Sequence, residues 1–422
     1  MENSKEKKQR WFTLLLLMLV SGTMYKIYFL VDAFYVQMQE YMGLSHTQIG
    51  LIYSVAGWVS QFGFLAAAYV SDKFSKRKMI AFALVANGIT GFFISAYPQF
   101  SILLVLFCFC AVFTDMLCWP TMLKTIRLLG NKDQQGRMFG FLETGRGLTD
   151  TIVNFCALAI AVSFGNNATG FRYAIIFFSV ISVVTGILSY FAIEDDDVTE
   201  TAEEKGSKSN VGIKEIFKDK AVWLVSFNVF TIYCLYSGLK YLVPFLKEAY
   251  NLPAAMASAY GIINMYGLKM VGGPIGGIVS DKVTHSATKF IRIMIFITAI
   301  ALGAYSILPH GSMNVYVTMG ISLIMSSFVF CMRAVFFAPM DEIDVPKKLT
   351  GAAMSLGSFI GYLPGAFITI IYGSILDSHP GIAGYKMIFA LMAVIAAFGV
   401  IISTLVLKEI KKKQALRVET LS

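Results

Sequence analysis

Charged side chains stand inside stretches of this chain that are otherwise apolar, and their types fit two chemistries: holding an anionic group and taking up a proton. A charge at the centre of a bilayer costs on the order of 2.5 kcal/mol or more on insertion scales, so each one needs a reason to be there. Lys26 and Lys269 lie near the middle of long apolar segments. They are candidates for gripping an anionic group on a small solute, with structural pairing to a carboxylate as the alternative. Asp115, just before Trp119 and Pro120, is an isolated carboxylate and a candidate proton-coupling site; a salt bridge to a base such as Lys26 is the competing reading. Asp150 and Asp32 are further proton-coupling candidates. Glu143, Arg146 and Asp150 follow i, i+3, i+7 spacing, which puts all three on one helical face. The Glu143–Arg146 part reads as a structural ion pair or gate. Tyr233, Tyr236 and Lys240 repeat that spacing, and hydroxyl-bearing rings beside a lysine suit a polyol or sugar-like ligand as well as plain packing. Asn264 is a further buried amide that needs partners. Lys26 and Asp32, six residues apart, are about 120° apart around a helix and do not pair on one face.

The elements that carry these residues are membrane spans. Of the 422 residues, 56% are hydrophobic and only 14% charged, against about 25% charged in soluble domains. The apolar residues come in blocks long enough to cross a bilayer. Twelve such blocks are expected: 11–37, 47–70, 79–97, 101–123, 138–164, 172–193, 221–245, 257–280, 290–308, 313–336, 350–375 and 385–407. The fold class is therefore an all-α membrane protein of twelve transmembrane helices in two six-helix bundles. The expected domains are 1–193, a cytoplasmic linker 194–220, 221–407, and a tail 408–422. The linker opens on Glu194-Asp195-Asp196-Asp197 and reads as disordered; its end, 211–220, reads as a short helix lying at the membrane surface. The net charge of +9 concentrates in loops and tails on one side, while Arg172, Lys247 and Lys386 lie on the other. That bias places both termini in the cytoplasm and accounts for the basic residues without nucleic acid. The first block carries Lys26 and Asp32 and is too long for a cleaved signal peptide. The six cysteines all fall inside predicted helices, with no metal spacing, and no cofactor is expected. No phosphate-binding Gly-x-x-x-x-Gly-Lys-Ser/Thr loop is present, so ATP is not the expected energy source. The four histidines lie near loops and form no cluster, so an enzyme is not expected.

One short signature occurs twice, half a chain apart: AYVSDKFSKRK from Ala68 to Lys78, and GIVSDK from Gly277 to Lys282. Each copy follows an apolar segment, after spans 2 and 8. With twelve spans and a central linker, this resembles the major facilitator superfamily over essentially the whole chain. Its signature there is Gly-x-x-x-Asp-Arg/Lys-x-Gly-Arg-Arg/Lys. Ala68 and Ser75 replace glycines in the first copy, and the second decays after Lys282. The stretch Gly136 to Gly140 with Glu143 and Arg146 is similar to span 5 of bacterial members. Thr350 to Pro364 resembles span 11 of a sugar-phosphate-permease-like subgroup.

The resemblance implies a central cavity lined by spans 1, 4, 7 and 10 with help from 2, 5, 8 and 11, and supporting spans 3, 6, 9 and 12. The buried charges of this chain avoid that last group. It implies gating roles for Asp72, Lys73 and Arg77 and for Asp281 and Lys282, the aspartates accepting hydrogen bonds from a neighbouring helix N-terminus or basic side chain in one state. The function implied is secondary transport of a small organic solute by rocking of the two bundles, expected to be an organic anion such as a sugar acid or sugar phosphate, coupled to protons. Related organophosphate antiporters carry arginines in spans 1 and 7, where this chain has Lys26 and Lys240, so a carboxylate or a neutral sugar fits as well. The alternatives are a neutral sugar or nucleoside transporter, then multidrug efflux, against which the buried cations and the absence of proline in span 5 argue, then a non-transporting solute sensor. The expected partners are the solute, H+ and the lipid bilayer; the expected location is the inner membrane, as a monomer.

Overall fold

The computed structural model describes residues 4–129, 135–193, 216–345 and 349–421. Most of the predicted linker lies outside these residues, as do the side chains of Asp72 and Lys73, whose backbone ends the helix His46–Lys73.

In the first sequence half the helices are α1 (Ser4–Thr23), α2 (Val31–Met42), α3 (His46–Lys73), α4 (Lys76–Ser95), α5 (Phe100–Ala111), α6 (Trp119–Leu129), α7 (Gln135–Ser163) and α8 (Ala168–Ala192). In the second they are α9 (Lys220–Gly238), α10 (Leu242–Tyr250), α11 (Ala254–Ile262), α12 (Leu268–Val279), α13 (Ala287–Ile307), α14 (Val315–Val335), the short α15 (Pro339–Glu342), α16 (Thr350–Tyr362), α17 (Ile368–Ser378) and α18 (Ile382–Leu421). Among the described residues, ten helical stretches are long and apolar enough to cross a membrane; they match the predicted blocks from the third onward. The second block falls on α3. The first is not one helix: it breaks between α1 and α2, over 24–30.

The chain is built inside out relative to a soluble protein. Phe93, Phe191 and Ile307 are 62%, 78% and 79% exposed, while Lys26, Asp32, Asp115 and Asp150 are buried. Hydrocarbon, not water, is the solvent that such a surface fits.

Contacts divide the chain into two compact units, Met1–Glu200 with Leu252–Met270, and Thr201–Asn251 with Val271–Ser422. The first has its core among Leu14, Leu17, Val20, Ile80, Leu84, Met122 and Leu142, from α1, α4, α6 and α7. Its α4 and α8 lie close because Gly88 has no side chain: a Cβ there would stand 2.7 Å from the Ser179 carbonyl. The segment Leu252–Met270 joins this unit although it follows the linker. Gln37 on α2 and Ser258 on α11, both buried, exchange two hydrogen bonds of 2.8 and 3.2 Å.

The second unit has its core among Val222, Val225, Met340, Ile343, Ala353 and Val406. Residues 216–218 make one helical turn, and Asp219 caps α9 by accepting from the Ala221 amide at 2.9 Å. Gly272 and Gly276 of α12 face Phe330 and Cys331 of α14, whereas Gly273 and Gly277 have nothing within 4 Å. Small residues thus let α12 and α14 approach on one side only.

Candidate solute and coupling site

The candidate site lies in the first unit, and backbone irregularity places it. Between α1 and α2 the ladder contracts, with Lys26 N donating to Thr23 O at 3.1 Å and Asp32 N to Phe29 O at 3.1 Å. Side chains from other helices take up backbone groups there. Asn87 donates to the Met24 carbonyl at 3.0 Å, and the Tyr53 hydroxyl accepts from the Val31 amide at 3.2 Å. Broken helices of this kind are tolerated at membrane depth only when the freed groups find partners. The one-helix expectation for 11–37 is thereby corrected, and Lys26 and Asp32 do not share one regular helix. Lys26 lies in the break; Asp32, buried, lies in the first turn of α2.

A second irregularity holds Asp115. Residues Val112–Cys118 form a π-helical segment, with the Trp119 amide donating to Thr114 O. Pro120 follows at once and brings no N–H to the ladder, which favours the wider turn. A third, Ile263–Gly267, carries the buried Asn264 and Tyr266.

Asp150 on α7 is the centre of the site. Its carboxylate lies 2.5 Å from Lys26 Nζ, 3.7 Å from Lys269 Nζ and 3.9 Å from Arg146 Nε. The Lys26 side chain is 0% exposed, whereas those of Arg146 and Lys269 are 15% and 18% exposed and so are the accessible cations. Lys26 Nζ also lies 4.1 Å from the centre of the Tyr266 ring, a cation–π contact. Glu143 meets Arg146 at 3.5 Å, the ion pair read from the i, i+3 spacing.

Asp115 is held differently. Its partners are hydroxyls: Tyr25 donates to Oδ1 at 2.7 Å and Ser60 to Oδ2 at 2.5 Å. The Tyr28 hydroxyl lies 3.3 Å from Ser60 Oγ. The expected alternative of a salt bridge between Asp115 and Lys26 is not what forms, since Lys26 meets Asp150. The guanidinium of Arg146 lies 4.9 Å from the centre of the Trp119 ring and 5.5 Å from that of Tyr25.

The remaining candidates are placed elsewhere. In the second unit Tyr233 and Tyr236 are ring neighbours at 5.5 Å, with Tyr362 5.0 Å from Tyr233. α9 ends at Gly238, and Lys240 is buried in the 3-10 turn that follows it, Leu239–Tyr241. Arg333 of α14 lies over the Tyr236 ring at 4.2 Å. Asp281 and Lys282 are exposed in a π-helical turn, Ser280–Thr284. The carboxylate that caps a neighbouring helix is Glu342, which accepts from Ser286 Oγ at 3.0 Å and from the Ala287 and Thr288 amides at the N-terminus of α13. In the first copy of the signature, Arg77 lies 4.8 Å over the Tyr190 ring of α8. The site residues that the sequence left unmarked are Tyr25, Ser60 and Tyr266. Tyr25 adjoins Lys26, which is the one local signal that pointed to it.

A model of the Major Facilitator Superfamily matches residues 14–369. The chain is 44% identical to "Inner membrane protein YihN" of Escherichia coli, over 98% of this chain and 99% of that one. It is 22% identical to a "Glycerol-3-phosphate transporter" of Bacillus subtilis, over 85% and 84%. Among solved structures, a bacterial homologue of the lysosomal transporter Spinster superposes with a TM-score of 0.79 at 13% identity, covering 96% of this chain and 98% of that one. The nucleoside transporter NupG gives 0.73 at 13% identity, over 94% and 99%. These structures share the fold. The cationic cluster, the broken first span and the family match over most of the length agree: the chain is a multi-pass membrane transporter and belongs to the Major Facilitator Superfamily.

Proposed function

We propose that the protein is a secondary transporter of a small organic anion, a sugar acid or an organic phosphate, coupled to protons through Asp115. The observation that carries this reading is the convergence of Lys26, Arg146 and Lys269 on the single carboxylate of Asp150. Three cations converge on this carboxylate, Glu143 also meeting Arg146, and such a cationic cluster suits an anionic group. Arg146 offers the planar fork that suits a carboxylate or phosphate, from span 5 and not from span 1 or 7. Arg146 and Lys269 are the accessible pair, so the solute's anionic group meets them first and competes with Asp150. Asp115, whose hydrogen-bond partners among the described residues are hydroxyls, is the carboxylate that can gain and lose a proton without breaking one of the ion pairs above. The named glycerol-3-phosphate transporters among the relatives support an organic phosphate as one member of the class. Alternating access moves the solute across an inner membrane, with twelve spans in bundles 1–193 and 221–407, both termini in the cytoplasm and the monomer as the working unit.

A second reading has its own support. Tyr233, Tyr236 and Tyr362 in the second unit form a hydroxyl-rich face that fits a neutral sugar or nucleoside.

The test is thermal stabilisation of the purified chain by glycerol 3-phosphate, glucose 6-phosphate, gluconate, glucose and uridine, at about pH 5.5 and 7.5, since a ligand of the folded state raises the transition by mass action. Stabilisation by anions alone, lost in Lys269→Gln, is the expected result. Stabilisation by glucose or uridine alone overturns the anion reading in favour of the tyrosine face.

A further inference from the structure

We infer that Tyr25 is the positioning residue that links the proton-accepting carboxylate to the anion-holding cluster, by way of the non-helical segment 24–30. The inference rests on the function proposed above.

Two adjacent residues of that segment reach the two carboxylates. The Tyr25 hydroxyl donates to Asp115 at 2.7 Å, and Lys26 Nζ meets Asp150 at 2.5 Å. Their Cα atoms are one peptide apart, about 3.8 Å, so one cannot shift far without the other. Tyr25 also touches the cluster directly, because its ring lies under the Arg146 guanidinium, which reaches Asp150 at 3.9 Å. A third residue of the segment, Tyr28, lies 3.3 Å from Ser60, the other donor to Asp115. The segment leaves the regular ladder at Lys26, whose amide donates to Thr23 O, and takes a side-chain partner from another helix, Asn87 on the Met24 carbonyl, while Phe29 N still donates to Tyr25 O at 2.8 Å.

The charge balance of the step is simple. Ionised, Asp115 accepts two charge-assisted hydrogen bonds, from Tyr25 and Ser60. A proton from water adds to the carboxylate, forming one O–H bond and removing one negative charge, and it leaves to water when the step reverses. The neutral acid is a weaker acceptor, so its hold on the Tyr25 hydroxyl slackens. The Tyr25 ring then shifts from Arg146 and draws Lys26 with it, which changes the grip on the anion. The groups that face Asp115 from the packed elements are Tyr25 of the broken segment, Ser60 of α3 and, through the Tyr25 ring, Arg146 of α7; Asp150 and Lys26 lie beyond it.

Coupling of this kind is reciprocal and appears as a dependence of anion affinity on pH, typically about 5- to 150-fold. The experiment measures the Kd of gluconate, whose carboxylate is ionised at both pH values, for the purified full chain at about pH 5.5 and 7.5. The expected ratio is at least fivefold in the wild type and within about twofold of unity in Tyr25→Phe. Tyr25→Phe keeps the ring over Arg146, so its affinity at one of the two pH values stays within about threefold of wild type. Asp115→Asn behaves as Tyr25→Phe. A wild-type ratio retained in Tyr25→Phe overturns the inference.

A second readout needs no solute. In a chain whose only tryptophan is Trp119 (Trp11→Phe, Trp58→Phe, Trp223→Phe), emission steps with pH as Arg146 and Tyr25 move against the indole. The step is lost on adding Tyr25→Phe. A step that persists, or no step in the parent, overturns the inference. Absence of gluconate binding with a Tyr25-dependent step would sink the anion reading for this probe and leave the link standing.

Discussion

Removing either partner of the Lys26–Asp150 pair should have unequal consequences, because the two are not equally provided for. Lys26 is 0% exposed and meets one carboxylate, whereas Asp150 also has Arg146 at 3.9 Å and Lys269 at 3.7 Å. Asp150→Asn therefore leaves a buried ammonium with an amide oxygen as its only remaining acceptor at that position. Stranding a buried charge costs about 3–5 kcal/mol, and the retained acceptor puts the expected loss near 3 kcal/mol. Lys26→Met leaves Asp150 two cations and fills the space with a side chain of similar length, so its expected cost is at most about 1 kcal/mol. In the double variant Lys26→Met/Asp150→Asn the stranded charge is gone, and stability recovers by about 2 kcal/mol relative to Asp150→Asn alone. Thermal unfolding of the three proteins in one detergent gives the ranking: Asp150→Asn lowest, the double variant above it, Lys26→Met close to wild type. Equal transitions for Asp150→Asn and Lys26→Met would refute the reasoning. The ammonium would then have another anion, and the buried Asp32 at the start of α2 would be the first to examine.

Three more outcomes are expected. Ser258→Ala leaves both polar ends of the fully buried Gln37 amide without partners and costs about 2 kcal/mol, while Gln37→Met/Ser258→Ala costs less than the single change; a double-variant melt at or below that of Ser258→Ala would count against this. Glu342→Ala uncaps α13 and costs about 1–2 kcal/mol, and amide exchange at Ala287 and Thr288 accelerates; unchanged exchange there would show that water replaces the carboxylate. His310, in the loop 308–314, donates its Nε2–H to the Tyr305 carbonyl 2.7 Å away and packs on the Phe245 and Tyr305 rings; burial lowers its pKa. The folded value then lies below the unfolded one of about 6.5, so this contribution is complete above that pH and is lost as pH falls through the window beneath it. The difference in transition temperature between wild type and His310→Gln should shrink on acidification over that window, and a constant difference would show that the ring stays neutral throughout.

Much of the fold was legible because hydrocarbon imposes a one-dimensional rule: a span is a long apolar run, and the runs from 79–97 onward coincide with helices Lys76–Ser95 to Ile382–Ala415. Spacing also sufficed for pairs on one helix, as Glu143 and Arg146 show. It failed where the helix itself changes. The first span parted at 24–30, and the run 221–245 passes through a 3-10 turn at Leu239–Tyr241. Neither break has a proline at the residues concerned.

The kinds of charge buried in this protein, and the need for each to find a partner, followed from sequence alone, since the cost of a bare charge in a bilayer does not depend on the fold. Which partner each one took did not follow. Lys26, Asp150 and Lys269 are far apart in the chain, and only the packing of the broken first span, α7 and the Leu252–Met270 segment brings them within 4 Å. Asp115 could equally have met a lysine; the π-helical turn before Pro120 set it against Tyr25 and Ser60 instead. Ion pairs act over a few ångströms, and distances of that size between remote residues are decided by tertiary packing.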